Sequence, residues 1–229
     1  MGAKTANARE RFARRGLAVA APIDPTTQAM LLRQLYLACF EQERWADAHG
    51  VAKDAIELDV LPDVLHQDAA RAALAMGEVD DALVHLRAAS RKAPADRRAF
   101  HYWTLGSTLF LLHRYADAES ALNRAVRWGT HDQPLYRAQL ALVQIAAGKP
   151  PPASLQTLID ELASAPCGQG YGRFVLGHLA YAAGAFPIAR RYLDAFVRKI
   201  EAGPKVQALS LAGELAMARA TLEKTEDDA

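Results

Sequence analysis

Residues 99–128 read AFHYWTLGSTLFLLHRYADAESALNRAVRW. Two amphipathic stretches are joined by a short polar turn, and apolar residues recur every three or four positions in both, the period of a helix with one buried face. Leu105-Gly106 in the first stretch and Ala118, Leu122 and Ala125 in the second are spaced to face each other across a helix pair. The small residues let two backbones approach and the large ones fill the gaps. This helix–turn–helix is the unit from which the rest of the chain is copied.

Working outward, Ala48 and Ala82 take the place of Ala118. They lie 34 and 36 residues apart in succession, a period that signals a repeat array. Five units follow: 29–62, 63–96, 99–132, 134–166 and 170–203. The fifth restores the pattern with Leu176-Gly177, Phe186, Ala189 and Leu193. Gly77, Gly148 and Gly184 share one inter-helix turn, where glycine takes a left-handed conformation at low cost. The fourth unit is the weakest copy. Pro150-Pro151-Pro152 stiffens its turn and delays its second helix. Gly168, Gly170 and Gly172 precede a helix, but no Lys-Ser/Thr follows as in a phosphate loop, so a flexible connector is expected.

The flanks are different. Residues 1–23 are basic, with Lys4, Arg9, Arg11, Arg14 and Arg15 set against Glu10, and read as a flexible arm or a loosely attached helix. Asp24-Pro25 is a helix start, Asp as N-cap and Pro at the first helical position. Residues 204–224 form a capping helix with Leu209, Leu211, Leu215, Met217 and Leu222 toward the stack, because an array of repeats exposes an apolar end. An acidic tail, 225–229, closes the chain.

These residues and spacings resemble the tetratricopeptide repeat family over residues 29–203. The first two units depart from it, with Leu35-Tyr36 and Ala69-Ala70 where the family carries Leu-Gly. The resemblance implies an all-α, right-handed superhelical solenoid of helix-turn-helix repeats with a C-terminal capping helix. It also implies that the first helices of successive units line a concave groove. Carried onto this chain, the groove residues are Arg33, Leu37, Arg71, Phe100, Trp103, Ser107, Phe110, Leu142, Tyr171, Phe174, His178 and Tyr181. From the third unit onward this face is apolar and aromatic, a composition that marks a partner site when it is open to water. A tight superhelix, or a C-terminal helix folded into the groove, would instead bury these side chains against one another. Leu37, Ser107 and Trp103 stand where relatives that clamp a chaperone's terminal carboxylate carry Asn, Lys or Arg, so that clamp is not expected.

Bulk properties narrow the function. The chain has 229 residues, 51% hydrophobic residues and a formal net charge of +1. No global field steers it to nucleic acid or acidic lipid. Cys39 and Cys167 form no CxxC pair. The longest apolar runs fall short of a membrane span, and a cytoplasmic protein is expected. The seven histidines show no HExxH or related spacing, and no nucleophile motif occurs. No catalytic residue, cofactor or metal is therefore expected, and no small-molecule substrate. The expected role is a protein–protein interaction module, an adaptor or chaperone that holds an apolar extended or helical segment of another protein. The alternative is a scaffold or assembly factor of a larger bacterial machine, including a role like that of a type III secretion chaperone. Self-association through the oppositely charged termini is a further possibility.

Overall fold

The computed structural model describes residues 5–152 and 154–227. They form thirteen α-helices and one 3-10 turn, with no strand among the described residues. The chain divides into two compact units, Met1–Arg97 and Arg98–Ala229.

The first unit holds α1 (Ala6–Leu17), α2 (Pro25–Glu41), α3 (Trp45–Ile56), α4 (Pro62–Ala75) and α5 (Val79–Lys92). Asp24 caps α2 as expected: its Oδ1 accepts from the Thr27 N–H at 2.9 Å, and Pro25 opens the helix. The core of this unit is rich in alanine, with Tyr36, Phe40, Leu65 and Leu83 as its larger buried side chains. Ala48, Ala52, Ala69, Ala70, Ala72, Ala73 and Ala82 are all buried, so consecutive helices meet nearly backbone to backbone.

The arm expected at the N-terminus is a helix from Ala6 to Leu17 and is packed on α2. Its attachment is ionic. Glu10 accepts from Arg44 at 2.7 Å and from Gln42 at 2.9 Å, and Arg9 donates to Glu41 at 2.7 Å. Arg44, with Gln42, draws the Glu10 carboxyl down to about 2. The first four residues of the basic stretch lie outside the described residues.

The second unit takes α6 (Ala95–Leu111) from Arg98 onward, then α7 (Tyr115–Trp128), α8 (Gln133–Ala146), α9 (Leu155–Ser164), a 3-10 turn at Pro166–Gln169, α10 (Gly172–Ala182), α11 (Phe186–Glu201), α12 (Lys205–Ser210) and α13 (Ala212–Asp227). The two Leu-Gly pairs do what their spacing predicts. A Cβ on Gly106 would lie 2.6 Å from Leu122 Cγ, and one on Gly177 would lie 2.5 Å from the Leu193 side chain. Only glycine permits that approach.

One backbone feature ties both units to a single repeat. A left-handed residue stands between paired helices at Glu43, Gly77, His113, Gly148 and Gly184, with φ of 60°, 81°, 58°, 80° and 73°. After each, the next N–H bonds to a carbonyl five residues back: Arg44 to Cys39, Glu78 to Ala73, Arg114 to Leu109, Lys149 to Gln144 and Ala185 to Ala180, all at 2.9–3.0 Å. This is the Schellman closure of a helix, made five times. Two of the five residues are not glycine.

In the fourth pair, α9 starts only at Leu155, late as the triproline predicts; proline lacks the N–H that a helix interior needs. Two other expectations meet a different structure. The glycine connector is a tight 3-10 turn. Gly168 is buried, and a Cβ there would lie 1.9 Å from the Leu162 carbonyl oxygen. The C-terminal cap is broken into α12 and α13 at Leu211. Helix α13 runs into the acidic stretch as far as Asp227, and residues 228–229 lie outside the described residues.

Candidate functional site

The expected groove residues fall into two groups, one in each unit. In the first unit, α2 supplies Arg33 and Leu37 and α4 supplies Arg71. Both arginines converge on Asp68. Arg33 Nε donates to Oδ2 at 2.7 Å and Arg71 Nη1 to Oδ1 at 3.2 Å. The Asp68 side chain is 1% exposed, whereas both guanidinium groups reach solvent. One turn N-terminal to Asp68 lies Asp63, also buried, and Arg97 grips it through Nε and Nη2 at 2.8 and 3.0 Å. Buried carboxylates thus hold partly exposed cations in fixed positions, and charge-assisted bonds of this kind are stronger than neutral ones.

In the second unit the face is aromatic. Trp103 packs edge-on against Tyr171 at 4.8 Å between ring centres, and Phe100 lies 5.6 Å from Trp103. Tyr171 continues to Phe174 at 5.4 Å, and Phe174 to His178 at 4.5 Å and Phe196 at 5.5 Å. Ser107, Phe110, Leu142 and His178 are buried, and Phe174 is 0% exposed. Trp103, Tyr171 and Tyr181 are partly buried, and Phe100 remains 39% exposed. Most of the expected inner face is therefore interior.

Its cover is the chain's own C-terminal helix. Helix α13 packs on α10 and α11. The Tyr171 hydroxyl donates to Glu214 Oε1 at 3.2 Å, Thr221 Oγ1 lies 3.5 Å from His178 Nδ1, and Arg219 pairs with Glu201. Leu215 and Ala218 supply buried apolar contacts. Burial, with the Glu214 carboxylate beside it, holds the Tyr171 phenol well above its ordinary pKa. Burial alone pushes His178 down to about 4, so its imidazole is neutral.

Four polar side chains on this face have buried atoms without a hydrogen-bond partner among the described residues: Trp103 Nε1, Ser107 Oγ, both ends of the Gln139 amide, and His178 Nε2. They come from α6, α8 and α10, the first helices of three successive pairs. An orphaned buried group costs about 1–3 kcal/mol.

The structure also gathers side chains that sequence spacing does not connect. His49, Asp81 and His85 each place a potential metal-ligand atom within 4.8 Å of the others, in the first unit. No local motif marks them. Their separations of 32 and 36 residues bracket one repeat, which is the signal that places them at one level on neighbouring helices. No protein-family model matches the chain, and no curated protein matches it.

Proposed function

We propose that the protein is a non-enzymatic interaction module, a right-handed tetratricopeptide-type array that holds an apolar helical segment of another protein as an adaptor or chaperone. The site is the aromatic inner face of the second unit. The observation that carries this reading is the set of unpartnered polar groups, Trp103 Nε1, Ser107 Oγ, the Gln139 amide and His178 Nε2, together with the exposed ring of Phe100 beside Trp103. A backbone or polar side chain of an entering segment supplies the missing donors and acceptors, and its apolar residues pack on Phe100 and Trp103. Rigid aromatic side chains at the centre of a contact carry most of its energy.

Helix α13 supports the reading as a template for such a segment: it turns Leu215, Ala218 and Thr221 inward and places a carboxylate to meet Tyr171. A partner helix of the same chemistry competes with α13 for the face, as helix-in-groove recognition requires. The test is selection of helical peptides from a displayed library on the full-length protein, repeated on Phe100→Ala/Trp103→Ala. The reading expects amphipathic sequences enriched on the wild type and lost on the double variant, with the helical circular-dichroism signal unchanged. No enrichment, or identical sequences from both proteins, contradicts it.

A further inference from the structure

We propose that His49, Asp81 and His85 form a binding site for a divalent transition-metal ion, Zn2+ foremost, with His66 as the positioning residue behind His85. The site lies wholly within the first unit and is independent of the aromatic face.

The ligand set arises from the repeat. Asp81 and His85 are four residues apart on α5, so their side chains share one helix face. His49 reaches the same point from α3. His49 Nε2 is 3.0 Å from Asp81 Oδ2, and His85 Nε2 is 3.8 Å from Asp81 Oδ1. The two imidazole rings stand edge to face, with centres 5.8 Å apart. A tetrahedral zinc ion with bonds of about 2.0–2.1 Å sets its ligand atoms about 3.4 Å apart. The observed separations lie on either side of that value, and small side-chain rotations close the difference.

A plain His–Asp ion pair is the competing reading, and two observations weigh against it. First, His49 Nε2 makes no directed hydrogen bond among the described residues, although the Asp81 oxygen is only 3.0 Å away. The nitrogen and the carboxylate are close without pointing at each other, as two ligands of a common centre are. Second, His66 Nδ1 lies 2.9 Å from His85 Nδ1. Two imidazole nitrogens at that distance share one proton. With the proton on His85 Nδ1, the His85 Nε2 lone pair faces Asp81 and His49, the tautomer a metal needs. A ligating histidine usually donates its other N–H to an outer acceptor that fixes its tautomer and orientation. His66 Nδ1, 2.9 Å from His85 Nδ1, is placed to be such an acceptor.

Charge and access are consistent with a cation. Two neutral imidazoles and one carboxylate carry −1, which a divalent ion exceeds by one unit. Asp81 is 44% exposed and opens the cluster to solvent, so an ion reaches it without unfolding. Two nitrogens and one oxygen suit Zn2+, Cu2+ or Ni2+ better than Mg2+ or Ca2+, which prefer all-oxygen sites. Three protein ligands leave one tetrahedral position for water.

The test is titration of metal-free, full-length protein with ZnCl2 at pH 7.5 by calorimetry, with the visible spectrum of the Co2+ form as an independent readout. One ion per chain is expected, with a tetrahedral Co2+ spectrum. His49→Gln, Asp81→Asn and His85→Gln keep side-chain size and should each weaken affinity about 100-fold. His66→Asn should weaken it about 10-fold and alter the Co2+ spectrum while keeping one ion per chain. His131→Gln, at an exposed histidine of the other unit, should change nothing. Helical circular dichroism and a zinc-dependent rise in melting temperature, present in the wild type and absent in Asp81→Asn, separate loss of the site from loss of the fold. Affinity unchanged in His49→Gln, Asp81→Asn and His85→Gln, or lost equally in His131→Gln, overturns the proposal.

Discussion

The two units are built on one repeat and differ in what they bury. The first packs its helices on many alanines and a few larger side chains, Tyr36, Phe40, Leu65 and Leu83, and sets carboxylates, Asp63 and Asp68, among arginines that stay near water. The second buries rings, from Trp103 through Tyr171 and Phe174 to Phe196, and closes over them with its own last helix. A shared backbone does not dictate a shared interior. The five equivalent turns fix where the helices run, and the side chains on the facing surfaces decide whether a face remains polar and open or becomes a core that needs a cover.

The largest effects should come from the second unit. Phe174→Ala removes a fully buried ring at the centre of the cluster and should cost about 3–5 kcal/mol, measured by urea unfolding. The equivalent disturbance of the first unit is electrostatic. Asp68→Ala removes both arginine contacts, and because those cations are partly solvated the cost should be about 2 kcal/mol. An Asp68→Ala loss as large as that of Phe174→Ala would erase the distinction between the two interiors.

Acid separates two groups by window. His178 titrates near 4 in the folded chain against an ordinary 6.5. Above pH 6.5 it is neutral folded and unfolded, and it contributes no pH dependence. As pH falls from 6.5 toward 4 the unfolded chain takes up a proton that the folded chain does not, and stability declines. His178→Gln should remove that component from thermal melts at pH 7 and 5. Glu10 also loses stability on acidification but in a lower window, with a folded value of about 2 against 4.5. Its contribution to seating α1 is complete above pH 4.5 and is lost as pH falls toward 2, and Glu10→Gln should abolish that lower window.

The smallest effect concerns the turns. Glu43 and His113 hold left-handed conformations that cost side-chain-bearing residues about 1 kcal/mol. Glu43→Gly and His113→Gly should each stabilise by about 0.5 kcal/mol, after the greater chain entropy of glycine is offset. Destabilisation by either would show that local contacts, such as the 2.8 Å pair between His113 Nδ1 and the Tyr115 hydroxyl, outweigh backbone strain.

What could be read in advance was whatever depends on residue type at a fixed spacing. Gly106 and Gly177 announce close helix contacts, Gly77, Gly148 and Gly184 announce turns, and Asp24-Pro25 announces a start. Glu43 and His113 carry no such mark, because their conformation is imposed by the helices on either side. The seating of α1 depends on Glu10 meeting Arg44 and Gln42 more than thirty residues away, which charge counts do not reveal. The aromatic face was legible as a set of residues, and a cover by the C-terminal helix stood as one of two alternatives that the sequence did not decide. Its cover follows from a break at Leu211 that redirects α13 onto α10 and α11, and nothing in the alternation of leucines and alanines there signals a break. The histidine cluster was hidden for a related reason: its members are joined by the repeat period and not by a local motif.

The central claim is that the second unit's inner face holds a helical segment and that α13 occupies it until a partner arrives. The most direct measurement is hydrogen exchange on the full-length protein with and without a library-selected amphipathic peptide. The account predicts faster exchange across residues 212–227 when the peptide binds, together with added protection at residues 100–107 and 171–178. Binding that leaves exchange in 212–227 unchanged would contradict it.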